Sequence, residues 1–147
     1  MFALTLPKNA LTGISEARQG NTTKGSVLLE QALKETDDPV VQAWYGYCIA
    51  REGRNYSRAL QLCLNALRRS PDNADICLAL GRLYLCGKSR MAAINVLQKG
   101  LRLGGVPEIG NLLESIGVRK RPVFPFLPRN NPLNVASGRV LSRLGWR

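Results

Sequence analysis

The chain has 147 residues, 45% of them apolar, which is enough for one domain with a hydrophobic core and too apolar for a disordered chain. A net charge of +11 comes with no histidine at all, which excludes the usual mixed cysteine–histidine zinc site. No apolar run approaches the roughly 20 residues that span a bilayer, and the opening MFALTLPKNALTG has no basic patch leading into a long apolar stretch, so neither a transmembrane segment nor a secretory signal is expected and the expected location is cytoplasmic.

In chain order, three segments align without gaps at a spacing of 34 residues: GSVLLEQAL (25–33), ALQLCLNAL (59–67) and AINVLQKGL (93–101). Each begins with a small residue, has an apolar residue four places on, and ends small-then-leucine. That spacing puts the small and apolar positions on one helical face, where small residues let a neighbouring helix approach closely. Ala59, Ala66 and Ala93 are therefore expected between helices. Gly20-Asn21-Thr22-Thr23 reads as a turn between two helices. Thr36-Asp37-Asp38-Pro39 and Ser70-Pro71-Asp72-Asn73 each separate two helical stretches, with Asp or Asn available as a cap and proline unable to continue the preceding helix. Gly104-Gly105 stops the third segment. A last helix then opens at Pro107 and runs through Ile109, Leu112, Leu113 and Ile116 to Gly117.

Between the aligned segments lies a second helical pattern, best seen in Cys77-x-x-Leu80-Gly81-x-x-Tyr84 followed by Ala93-x-x-x-Leu97. It resembles the tetratricopeptide signature, with Cys77 in place of its tryptophan and Leu97 in place of its phenylalanine. In the middle copy Ala59, Cys63, Ala66 and Pro71 match, while Gly46 sits one place early. In the first copy Gly13, Gly25, Leu29 and Ala32 match, and Thr12 and Glu16 do not. The resemblance covers roughly residues 6–107. It implies an all-α, right-handed solenoid of three helix-turn-helix repeats (about 6–39, 40–73 and 74–107) with a capping helix at about 107–117, all within a domain of residues 1–118.

In that family the first helices of the repeats line a concave groove that holds a partner segment. The resemblance places Val41, Trp44, Tyr45, Cys48, Arg51, Leu78, Arg82 and Leu85 on the groove. Trp44 and Arg82 are of the kind that dominates binding energy when desolvated. Trp44 and Tyr45 have an alternative role, filling space between repeats. One subclass grips the C-terminal carboxylate of chaperones with lysines and asparagines. Its positions hold Ala10, Ile14, Tyr45, Asp75 and Ala79 here, so that clamp is not expected.

Residues 119–147 depart from the repeat. They hold Arg119, Lys120, Arg121, Arg129, Arg139, Arg143 and Arg147 with no Asp or Glu, leaving 14 basic against 10 acidic side chains in the preceding 118 residues. Pro122, Pro125, Pro128 and Pro132 favour an extended chain, yet Val123, Phe124, Phe126 and Leu127 call for burial. They dock either on the chain's own repeats, on a second copy or on a different protein. A short helix is expected from about Pro132, capped by Asn131, with an apolar stripe of Leu133, Ala136, Val140, Leu141 and Leu144 beside the basic stripe of Arg139, Arg143 and Arg147. Tails of this kind resemble those of some bacterial tetratricopeptide proteins.

The four cysteines, Cys48, Cys63, Cys77 and Cys86, include no C-x-x-C pair, so no metal site is expected and they read as small hydrophobes. With no histidine, no glycine-rich phosphate loop and no paired carboxylates, the expectation is no enzyme activity and no cofactor. The expected function is an adaptor or assembly subunit. It would bind another protein, an acidic one given the tail, or a second copy of itself, through the groove residues above, the tail residues Phe124, Phe126, Leu127, Arg139 and Arg143, or both. The alternative is binding of nucleic acid or an anionic membrane surface through the basic tail. That alternative is the less favoured, since no nucleic-acid motif accompanies the charge.

Overall fold

A computed structural model describes residues 5–118, together with the single helical positions Pro132, Ala136 and Arg139, all three exposed. Among the described residues the chain is all-α, with seven helices and no strand. They are α1 (Lys8–Arg18), α2 (Thr22–Ala32), α3 (Pro39–Arg51), α4 (Tyr56–Arg69), α5 (Ala74–Cys86), α6 (Arg90–Arg102) and α7 (Pro107–Ser115). The strongest packing is within three sequential pairs, α1 with α2, α3 with α4 and α5 with α6. Between pairs, α3 packs on α1, α2 and α5, and α4 packs on α5. The chain divides into two compact units, residues 1–113 and 114–147. The core described below belongs to the first.

The helix starts follow from capping chemistry. Asp38 Oδ1 accepts from the Val40 and Val41 amides at 2.8 and 3.3 Å, with Pro39 at the first helical position, where its missing N–H costs nothing. Asn73 does the same for the Asp75 and Ile76 amides at 2.9 and 3.3 Å, and Asn55 accepts from the Arg58 amide at 3.0 Å. The turn expected over residues 20–23 is displaced: Thr22 and Thr23 already belong to α2, and Gly20, at φ 92°, makes the reversal. Gly104, at φ 79°, ends the third pair. The last helix stops at Ser115, two residues before Gly117, whose φ is 83°.

Close approach of paired helices explains the small residues. A Cβ on Gly13 would lie 2.8 Å from Leu29 Cγ. One on Gly46 would lie 2.8 Å from Cys63 Sγ and 2.9 Å from the Ala59 carbonyl, and one on Gly81 would lie 2.5 Å from Leu97 Cδ2. Ala59, Ala66 and Ala93 are fully buried, as are Leu29, Cys63 and Leu97 facing those glycines. The Cys63 thiol also donates to the Ala43 carbonyl at 3.2 Å.

The early position of Gly46 has a structural counterpart. A residue in the left-handed region lies seven places after each of the three glycines: Gly20 after Gly13, Gly53 after Gly46 and Lys88 after Gly81. From there α2 and α6 begin two residues on and α4 begins three on. The first helix of the middle pair is thus displaced as a unit by one residue, and the α3–α4 turn restores the register. The seam keeps its geometry although the sequence spacing is not uniform.

Candidate functional site

Correcting the register of α3 by one residue brings different side chains into equivalent places. Counted from the buried glycine, the next residue and the one four further on share a helical face. These pairs are Ile14 and Arg18 on α1, Tyr47 and Arg51 on α3, and Arg82 and Cys86 on α5. Apart from Ile14 and Cys86, the row formed by these first helices is polar and aromatic, made by Arg18, Tyr47, Arg51 and Arg82.

At its centre Trp44 is fully buried, with the Arg18 and Arg82 guanidinium carbons each 5.5 Å from its ring centroid. Tyr47 meets Trp44 edge-on at 5.8 Å between centroids, and Arg82 also lies 5.9 Å from the Tyr47 ring. Arg82 Nη1 donates to the Arg18 backbone carbonyl at 2.9 Å. The Arg18 side chain pairs with Asp75 and, at 3.5 Å, with Glu108. One arginine of α1 thus touches α5 and α7, and one arginine of α5 returns to α1. Two donors here, Trp44 Nε1 and Arg18 Nε, are buried with no acceptor among the described residues. Burial pushes the Tyr47 hydroxyl above its ordinary pKa, against the opposing pull of Arg82 and, more weakly, Arg51.

The residues singled out from the sequence divide. Val41, Trp44, Cys48 and Leu78 are fully enclosed, so they pack the interior instead of lining an open surface. For Val41, Trp44 and Cys48 the reason is the one-residue displacement of α3, which turns the face assigned by uniform spacing inward. Tyr45, Arg82 and Leu85 are half-buried and Arg51 is exposed. Arg139 is helical and exposed, whereas Phe124, Phe126, Leu127 and Arg143 lie outside the described residues. Arg18, Tyr47, Asp75 and Glu108 were not singled out. The signal for Tyr47 was present in the early glycine, because Tyr47 follows Gly46 as Arg82 follows Gly81.

The thiols of this region are held in their protonated form. Burial pushes the Cys48 and Cys63 thiols up to about 12, aided in Cys48 by the negative charge of Glu52 and in Cys63 by Cys48, so both are neutral at physiological pH. Burial raises Cys77 and Cys86 as well. Among the described residues no group of His, Cys, Asp and Glu is placed to hold a metal ion, and no helix is long and apolar enough to cross a membrane. No protein-family model matches this chain, and no curated protein matches it.

Proposed function

We propose that this chain is a protein-binding helical-repeat protein of tetratricopeptide type, an adaptor or assembly subunit that holds a partner segment on the row formed by α1, α3 and α5. The observation that carries this reading is the polar and aromatic row itself. Its members come from three successive helix pairs, and Arg82, Tyr45 and Leu85 are half-buried around it while Arg51 is exposed. Aromatic and arginine side chains on a supported surface are the residues that carry binding energy when a partner desolvates them. The recurring glycine contacts of the three pairs support the solenoid part of the reading, since stacked pairs of this kind present their first helices along one continuous surface. The basic tail adds a second point of attachment to an acidic partner, and the proposal includes no catalytic step.

A photo-crosslinking residue at Leu85 tests the location. In the expressing cell it should form a discrete adduct with a partner protein. The same group at Asn95, exposed on α6, should not. Equal adducts from both positions, or adducts from Asn95 alone, would move the binding surface elsewhere.

A further inference from the structure

The row carries more positive charge than the described residues compensate. Arg18 is compensated by Asp75 and Glu108. Arg82 is not: its guanidinium donates to the Arg18 carbonyl, interacts with the Tyr47 hydroxyl, leans on two aromatic rings, and meets no carboxylate among the described residues. Arg51 stands four residues after Tyr47 on the same stripe of α3 and likewise forms no ion pair among the described residues. A half-buried guanidinium without a counter-charge is costly, and the cost is recovered when an anion arrives.

We propose that this row binds a side-chain carboxylate of an acidic, extended segment of a partner protein, held between the Arg51 and Arg82 guanidiniums beside the Tyr47 ring. The inference rests on the reading that this face binds protein, and it specifies the chemistry of the partner. An ionised carboxylate is an acceptor only and fits the planar fork of arginine. A nucleic-acid backbone fits less well. It is held by a run of phosphate contacts, and on this face the carboxylates of Asp75 and Glu108 interrupt the positive track beside Arg18. The chain's own residues 119–147 contain no Asp or Glu, so they cannot supply the side-chain carboxylate.

The test uses the full chain and a fluorescent synthetic peptide of about a dozen residues alternating glutamate and leucine, followed by anisotropy in about 50 mM salt, where screening is weak. The same peptide with glutamine for glutamate, and an oligothymidylate of equal charge, are the comparison probes. The acidic peptide should bind, the glutamine peptide should bind at least about tenfold more weakly, and Arg82→Gln or Arg51→Gln should each weaken the acidic peptide by about tenfold. Arg82→Lys should fall between, because it keeps the charge and loses the fork. Circular dichroism confirms that each variant is folded. Equal binding of the two peptides, reduced by Tyr45→Ala, overturns the carboxylate assignment and leaves the protein-binding reading standing. Preference for the oligothymidylate, absence of peptide binding, or loss of binding on Arg139→Gln with Arg143→Gln but not on the row substitutions each overturns the proposal.

Discussion

The seams inside the helix pairs and the row across the first helices are built by opposite means. In the seams, glycine meets Leu29, Cys63 or Leu97 over sixteen or seventeen residues of sequence, and the thiol among those partners donates to the Ala43 carbonyl. Along the row, Arg18 reaches Asp75 across 57 residues and Arg82 reaches the Arg18 carbonyl across 64, with the Arg82 charge left uncompensated among the described residues. Tight apolar contact fixes the fold. An uncompensated guanidinium at the surface is what the proposed partner would exploit. The same helices carry both faces.

The largest loss of stability is expected at Gly46. Gly46→Ala would drive a methyl group against a backbone carbonyl as well as a buried thiol, and backbone cannot swing aside. A loss of about 3 kcal/mol in urea-induced unfolding is expected. A loss below about 1 kcal/mol would mean that the α3–α4 seam is not close-packed.

The buried thiols of Cys63, in that seam, and of Cys48, facing Gly25 of α2, should also report on alkaline stability. Cys48 and Cys63 are held neutral up to about pH 12 in the folded chain, whereas in the unfolded chain they ionise near the ordinary thiol value. The unfolded state then binds fewer protons than the native one. The stabilisation is complete below about pH 9 and is lost as the pH climbs toward 12, by up to about 1.4 kcal/mol per thiol per pH unit. Cys48→Ala with Cys63→Ala should flatten the fall in stability between pH 9 and 11, relative to the unsubstituted chain. An unchanged slope would show that these thiols are not buried as described.

Smaller effects come from the helix starts. Asp38→Ala and Asn73→Ala each remove a side-chain acceptor from two backbone amides and should cost about 1 kcal/mol. Thermal unfolding of each variant measures this, and no shift in either would mean that the caps are replaced by water at no cost.

What the sequence disclosed follows the same division. Helix pairs, caps and the small residues of the seams were legible because their causes are local: a spacing near 34, a proline after an aspartate, a glycine opposite a large apolar residue. The groove residues were read less well. Uniform spacing assigned Val41, Trp44 and Cys48 to an open face, but the extra residue in the α3–α4 turn turns them inward and puts Tyr47 and Arg51 in line with Arg82 and Cys86. Only the early glycine hinted at this. The pairing of Arg18 with Asp75 and Glu108 had no local sign at all, because it depends on how the first helices stack.

Gly81 and Arg82 are neighbours in the chain, yet one belongs to the seam and the other to the row, so substituting each in turn separates the two roles most directly. Gly81→Ala should lose about 2 kcal/mol of stability through the clash with Leu97, while retaining affinity for the acidic peptide when measured well below its unfolding temperature. Arg82→Gln should lose at most about 1 kcal/mol, since a half-exposed guanidinium stacked on two rings contributes little to folding, while weakening the peptide by about tenfold. If instead Gly81→Ala abolishes peptide binding in a folded protein, or Arg82→Gln leaves affinity intact while unfolding the chain, the division between a seam that holds the fold and a row that holds a partner is wrong.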